Sequence, residues 1–169
     1  MQPATSFDWV REIMTDPPGN TRLPNATEIK FGDPDTRIAQ TDCWTVLLRP
    51  KQPTLGSLVV VCREPAQQFS AVSAAAFADL QHVVKGVEGM LRQVVAYERI
   101  NYLMLMMVDP DVHFHVIPRY GSARQHQGVD YPDTGWPGPP QLEPAIVPDA
   151  DARARLLARL RGAWVAAGE

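Results

Sequence analysis

Apolar side chains recur in short runs between residues 36 and 62, and turn-forming residues separate the runs. The segments 36–41 and 42–48 predict two short strands or one bent strand, and the stretch 52–56, with its proline and glycine, predicts a turn after them. The segment 57–62 is β-branched and mostly apolar, which is typical of a central strand. This part of the chain therefore predicts a sheet.

Beyond residue 73 the apolar period changes from two residues to between three and four. Ser73 is a suitable N-cap, three alanines follow it, and apolar residues then recur on one helical face as far as Val95. The pattern predicts one amphipathic helix of about six turns. Gly86 and Gly89 interrupt it at a cost of roughly 1 kcal/mol each. They mark either a close approach of another element or a weak point in the helix.

The region after the helix predicts an antiparallel hairpin. Residues 100–108 form the first predicted strand, Asp109 and Pro110 a tight turn, and residues 112–117 the second strand. In the second strand apolar residues alternate with His113 and His115, so the two imidazoles should lie on the same face.

Prolines are concentrated in two segments that flank this periodic region. Because proline lacks an N–H and fixes φ, both segments are expected to be irregular and extended. A terminal helix, beginning at Asp149 or Asp151 and carrying several leucines, should close the chain.

We therefore predict a single domain over residues 1–169. Its core lies at about 35–120, preceded by a proline-rich segment 1–34 and followed by a proline-rich extension with the terminal helix, 121–169. The predicted fold class is α+β, an antiparallel sheet of about five strands with one long helix packed on a face.

Length, composition and charge exclude several classes of protein. The chain has 169 residues, of which 45% are hydrophobic, enough for one substantial core. Its 16 basic and 19 acidic residues form no basic stripe, which argues against a nucleic acid duplex as partner. We find no apolar run long enough for a membrane and no secretory signal, so we expect a cytoplasmic protein in which Cys43 and Cys62 are reduced.

Asp111, His113 and His115 follow one another at two-residue steps, which places them roughly 6.5–7 Å apart on one face of a strand. Imidazole is a good nucleophile and a reversible proton carrier near pH 7, so two rings can divide attack and proton transfer. Asp111 either fixes the tautomer of His113 and raises its pKa, or only caps the preceding turn. The same three side chains could instead hold Fe, Mn or Zn, although the glutamate that follows the His-x-His pair in cupin metal sites is missing.

Taken together, these segments resemble the histidine triad superfamily, whose motif is His-φ-His-φ-His-φ-φ, often followed by Pro-Arg. The resemblance covers about residues 35–120. It includes the turn and strand of residues 52–61, the helix that begins after Ser73, residues 100–102, and the run Val-His-Phe-His-Val-Ile-Pro-Arg-Tyr of residues 112–120.

The resemblance implies a nucleotide hydrolase or transferase that acts at the α-phosphate of a nucleoside phosphate ester, anhydride or phosphoramidate. His113 corresponds to the histidine that forms a covalent nucleotidyl-histidine intermediate, and His115 to the one that contacts phosphate and assists the leaving group. The chemistry needs no metal or other cofactor. The resemblance also implies a homodimer, with residues 100–108 and the glycine-bearing helix as contact surfaces. A nucleotide-binding protein with little turnover is the alternative.

The chain departs from the family pattern in three places. Asp111 stands in place of the first histidine, and Ser57 stands where many members carry a fourth, supporting histidine. The glycine-rich phosphate loop is absent, because the chain turns directly through Asp109 and Pro110. These departures put the recognition of dinucleoside polyphosphates in doubt.

Three residues are candidates for substrate binding. Arg119 either contacts phosphate or is a solvated cation at the end of a strand. Ser57 either contacts phosphate or is only a small residue beside the site. Asn101 either bonds the substrate or ends a strand. In the extension, Trp136 either folds back over the pocket or covers a sheet surface.

Overall fold

Five antiparallel strands form the central sheet, and the computed structural model describes it as part of residues 22–167. The strands are β1 Arg37–Gln40, β2 Trp44–Leu48, β3 Leu58–Cys62, β4 Arg99–Leu103 and β5 His113–Arg119, and the helices are α1 Ala26–Lys30, α2 Ala74–Val95 and α3 Ala150–Ala167. The strand order is β1-β2-β3-β5-β4, so β3 and β5 are interior. The predicted α+β class is confirmed.

The long helix α2 covers one face of this sheet. The hydroxyl of Ser73 caps its N-terminus and accepts a hydrogen bond from the N–H of Ala76 at 3.0 Å. Ala96, with a left-handed φ of 53°, ends the helix. The buried side of α2 joins the main core and consists of Ala76, Val83, Val87, Met90, Leu91 and Val95. The helix thus begins and ends where the apolar period predicts.

The two histidines lie on the opposite face of the sheet. In the register of β3 and β5, Val61 pairs with His113 and Val59 with His115. Because side chains alternate across a strand, these residues point away from the main core. Val59 and Val61 form a separate apolar cluster with Leu47 and Phe31 on this face. The predicted placement of the histidines on one face of a strand is confirmed, and that strand is interior and pairs with β3.

The segment before the sheet contains a short helix, α1, where the prolines had predicted irregular chain. Asn25 caps α1 in a reciprocal capping box, in which its side chain accepts from the N–H of Glu28 and the Glu28 carboxylate accepts from the N–H of Asn25. The expectation of an irregular segment was therefore wrong for residues 26–30. The prolines at positions 17 and 18, part of the same expectation, lie outside the described residues.

The hairpin of β4 and β5 is antiparallel as predicted, but its connection is longer. β4 ends at Leu103, and residues 104–112 lie outside both strands instead of forming a tight turn at Asp109 and Pro110. Met107 and Val108 are 91% and 79% exposed, so no packing surface holds this apolar run in the sheet. Apolar content alone overestimated the length of the strand.

The extension after residue 120 combines irregular chain with two elements. A small hairpin pairs β6 Arg124–His126 with β7 Val129–Tyr131, which the sequence did not predict. Asp149 caps α3 by accepting from the N–H of Ala152 at 2.8 Å, one of the two starts that the sequence allowed. None of the helices within residues 22–167 is long and apolar enough to cross a membrane.

Candidate functional site

His113 and His115 form the centre of the candidate site. Their ring centroids are 5.1 Å apart and the rings meet edge to face. His113 has no exposed surface and His115 is 6% exposed. Leu47, Val59 and Val61 form an apolar cluster beside the rings on the same face of the sheet. The two imidazoles therefore lie side by side in a largely dry environment.

The main chain fixes the tautomer of His113. Nδ1 of the ring lies 2.7 Å from the carbonyl oxygen of Asp111, and a carbonyl oxygen can only accept. Nδ1 must therefore carry the proton, which leaves the lone pair of the neutral ring on Nε2. Nε2 is buried and has no hydrogen-bond partner among the described residues. This is the arrangement that a nucleophilic imidazole requires.

His115 is held in its neutral form. Desolvation by burial, together with the smaller effects of His113 and Arg49 nearby, lowers its pKa to about 4. Its Nδ1 is also buried without a partner within the described part of the chain. A neutral His115 has one N–H to donate and one nitrogen to accept, so it can contact a phosphate oxygen or a leaving group at pH 7.

The carboxylate of Asp111 does not contact His113. It accepts hydrogen bonds from the N–H and the hydroxyl of Thr27, at 3.2 and 2.9 Å, in the first turn of α1. The contribution of Asp111 to His113 is its carbonyl oxygen instead. The predicted orienting carboxylate was therefore wrong, because the chain approaches β5 through a loop that turns this side chain toward α1.

The alternative metal set of Asp111, His113 and His115 is not assembled. With the Asp111 carboxylate bonded to Thr27, the two histidines have no third ligand beside them in the described part of the chain. Among residues 22–167, no group of three or more His, Cys, Asp or Glu side chains is arranged to hold a metal ion.

Phe31 forms a wall of the site that the sequence did not predict. It ends α1, and its ring centroid lies 6.2 Å from that of His113 and 5.6 Å from that of His115. A single phenylalanine in a proline-rich segment carries no periodic signal, and its place depends on the anchoring of α1 by Asp111. The capping box at Asn25 was the available clue.

Arg119 lies on the same face of β5 as the histidines, at the far end of the strand, and its guanidinium is bonded to other protein groups. It is 4% exposed, and its Nε and Nη2 donate to the carboxylate of Asp133 at 2.6 and 3.2 Å. Its Nη1 donates to the side-chain oxygen of Asn101 at 2.8 Å. Arg119 is therefore not a solvated cation, and its expected contact with phosphate stays a prediction. Arg119 and Asn101 instead attach the extension to β4 and β5.

Trp136 lies beside this attachment and away from the histidines. Its indole nitrogen would be 3.0 Å from a side chain added at Gly121. With Asn101, Arg119 and the prolines of residues 137–140, it lines an open groove of about 420 Å³ over the start of β4. Of the two readings of Trp136, the structure supports the cover over a sheet surface.

Ser57 is buried in a turn and is not free to bind. Its hydroxyl donates to the carbonyl of Thr54 at 2.8 Å and accepts from the N–H of Thr54 at 3.3 Å. The structure thus supports the reading of Ser57 as a small residue, on the same face as the histidines.

Two cations near His115 escaped the sequence analysis. Lys30, at the end of α1, forms an ion pair with Asp109, and the two have opposite effects on the pKa of His115. Arg49 directly follows β2, and its N–H donates to the carbonyl of Ser57 at 3.0 Å, which continues the ladder. Since Leu47 faces the histidines, Arg49 lies on the same face.

Comparison with known proteins identifies the fold. No protein-family profile matches the chain, and no curated protein resembles it in sequence. A histidine triad protein of Sinorhizobium meliloti superposes with a TM-score of 0.66 at 19% identity, over 84% of this chain and 96% of that one. A histidine triad protein of Bradyrhizobium japonicum superposes with a TM-score of 0.61 at 21% identity, over 75% of this chain and 87% of that one. A hypothetical histidine triad nucleotide-binding protein of Sulfolobus tokodaii superposes with a TM-score of 0.58 at 18% identity, over 78% of this chain and 84% of that one. The chain has the histidine triad fold.

Proposed function

We propose that the chain is a nucleotide hydrolase or transferase that acts at the α-phosphate of a nucleoside phosphate ester, anhydride or phosphoramidate, with His113 as the nucleophile. The observation that carries the proposal is the state of His113, whose Nδ1 is fixed by a carbonyl while Nε2 is buried and, among the described residues, unpartnered. The fold shared with a histidine triad nucleotide-binding protein supports a nucleotide as the substrate.

The proposed reaction has two steps. Nε2 of His113 forms a bond to the α-phosphorus while the bond to the leaving group breaks, and the leaving group takes the electron pair. The ring then carries a positive charge, because Nδ1 keeps its proton, and the carbonyl of Asp111 stabilises that N–H. Water, or an acceptor hydroxyl or amine in a transfer, next attacks the phosphorus. The P–N bond breaks, the ring becomes neutral again, and the proton of the attacking group passes to solvent.

His115 is assigned the contact to the phosphate or to the leaving group. With a pKa of about 4 it is neutral at pH 7, so it is a hydrogen-bond donor rather than a store of protons. The leaving group then takes its proton from solvent or already carries one. The N–H of His115 would stabilise the charge that develops on a phosphate oxygen.

We further propose that the chain forms a homodimer through the region after β4. β4 is an edge strand, and the exposed Met107 and Val108 follow it in an apolar run. On α2, Gly86 is already covered by Trp164 of the same chain, so this part of the expected helix surface is occupied. Light scattering on the purified chain measures the mass of the assembly.

The test of the nucleophile is the mass of the intact protein after incubation with a nucleoside phosphoramidate. We expect an adduct of one nucleotidyl group on the wild-type chain and none on His113→Asn, whose turnover should fall by at least about 100-fold. His82→Asn removes an exposed imidazole of α2 and is the matched control. Turnover of His113→Asn at the wild-type rate would refute covalent catalysis there. Nucleotide binding without adduct or turnover in the wild type would indicate a binding protein instead.

A further inference from the structure

We infer that Arg49 binds a second anionic group of the substrate, separate from the phosphate that His113 attacks. The inference rests on the proposed function and specifies its substrate class. The substrates would be nucleotides that carry an additional phosphate or carboxylate group. The position of Arg49, the small side chain at Ser57 and the charge of the guanidinium each support it.

The position of Arg49 is one row of side chains away from His115. Leu47, Val59 and His115 form one row across β2, β3 and β5, and Arg49 and Ser57 begin the next row on the same face. Rows on one face are about 7 Å apart, and neighbouring strands are about 4.8 Å apart. An arginine side chain can therefore approach His115, whereas His113 lies one row farther on.

Because Ser57 is small, no long side chain of β3 stands between Arg49 and the histidine strand in this row. The hydroxyl of Ser57 is bonded to Thr54 on the turn side, so it does not extend across the row. A larger side chain at this position would separate the guanidinium from His115.

The charge of Arg49 is poorly compensated. Its Nη1 donates to the carbonyl of Lys51 at 2.7 Å, but its Nε is buried without a partner, and it forms no ion pair with any residue in the range 22–167. Burial lowers the pKa of Arg49, which Glu143 partly offsets, although Glu143 is itself exposed and contacts Lys51 at 3.4 Å. An uncompensated, partly desolvated guanidinium gains most from a bound anion.

Lys30, the other cation near His115, has a counterion within the protein. Lys30 is on the surface and already pairs with Asp109, so its charge is neutralised before any ligand arrives. Guanidinium binds phosphate and carboxylate with two parallel hydrogen bonds, which suits a terminal anionic group.

The experiment compares ligands with one and two anionic groups by isothermal titration of the full chain. Adenosine 5′-monophosphate carries one phosphate, and adenosine diphosphate and adenosine 3′,5′-bisphosphate carry two, in different places. We expect the wild type to favour at least one of the two-phosphate ligands over the monophosphate. In Arg49→Gln that preference should fall by about 10- to 100-fold, as for the loss of charged hydrogen bonds. Lys51→Gln removes the same charge from an exposed neighbour and should keep the preference.

Two results overturn the inference. One is an unchanged preference in Arg49→Gln, and the other is an equal loss of affinity for all three ligands, which would put Arg49 on the attacked phosphate. If Arg49→Gln does not fold, Arg49→Lys keeps the charge without the paired donors and should retain part of the preference. Failure of the proposed function would look different, since the preference would depend on Arg49 while neither turnover nor an adduct at His113 was found.

Discussion

A carbonyl oxygen orients His113, the proposed nucleophile, where many catalytic histidines rely on a carboxylate. A carboxylate beside His113 would raise the pKa of its ring and would favour the protonated, non-nucleophilic form. The carbonyl of Asp111 fixes the same tautomer without that charge. The orientation of His113 therefore depends on the path of the main chain at residue 111, and the side chain there is free for another task.

The Asp111 side chain anchors α1 through Thr27. Asp111→Asn therefore tests whether His113 is oriented by the main-chain carbonyl of residue 111 or by the charge of its side chain. The variant should keep the carbonyl contact to His113, so the acidic limb of the pH–rate profile should not move. The free energy of unfolding should fall by about 1 kcal/mol, because the N-terminal turn of α1 loses a charged acceptor at Thr27. Urea denaturation gives the stability, and a double-mutant cycle with Thr27→Val should show coupling. A shifted acidic limb would return the carboxylate to an orienting role.

The lowered pKa of His115 makes stability depend on pH in a predictable direction. In the unfolded chain the ring titrates near 6.5, and in the folded chain at about 4. As pH falls, the unfolded state takes up the proton first, so stability that is fully present above pH 6.5 is lost progressively toward pH 4. The melting temperature should fall from pH 7.5 to pH 5, and by less in His115→Gln. Ring signals of His115 that titrate near pH 6.5 would contradict this.

At the scale of elements, a single glycine decides how closely α2 and α3 pack. A side chain at Gly86 would place its Cβ 2.6 Å from the ring of Trp164. The sequence left open whether Gly86 marks a close approach of another element or a weak point in the helix, and the close approach of Trp164 is the correct interpretation. The indole of Trp164 fills the space that the missing side chain leaves.

Replacing one glycine of α2 and one of α3 separately tests this packing. Gly86→Ala should destabilise the chain by about 1–3 kcal/mol despite the better helix propensity of alanine, because the indole must move. Gly162→Ala, at an exposed position of α3 with nothing within 4 Å, should stabilise it by up to about 1 kcal/mol. Thermal denaturation of both variants measures the difference. A stabilising Gly86→Ala would mean that Trp164 does not pack there.

The elements that could be predicted from the sequence are those with a strong local signal. β3 and α2 have it in their β-branched run and their Ser73-capped apolar stripe, and both lie where predicted. α1 has five residues, too few for a period, and its capping box stands among prolines. The end of β4 was missed because its pairing with β5 stops at Leu103 and His115, and where pairing stops is a property of the tertiary structure.

The site could be predicted in part for a related reason. His113 and His115 lie on one strand, so their spacing alone places them together. Phe31 and Arg49 reach the same place from other elements, through the anchoring of α1 and the register of β2. The partner of Arg119, the carboxylate of Asp133, comes from an extension whose path no local pattern specifies.

At the scale of the whole molecule, the ion pair of Arg119 and Asp133 holds the extension to the sheet. The side chains are 5% and 2% exposed, and removal of one partner leaves the other charge buried. Asp133→Asn should cost about 3–5 kcal/mol and make residues 121–148 more sensitive to limited proteolysis. The exposed pair of Arg155 and Asp151 is the control, and Asp151→Asn should cost less than about 1 kcal/mol. Equal losses in the two variants would argue against the attachment.

The same attachment has a consequence for anyone who shortens this protein. The histidine triad motif ends at Tyr120, and an expression clone that stopped there would look complete by its motif. It would leave a buried guanidinium without its counterion at the end of the histidine strand, and it would strip Trp164 from α2. We expect such a fragment to be insoluble or only partly folded. The unit that carries the chemistry and the unit that folds thus have different boundaries.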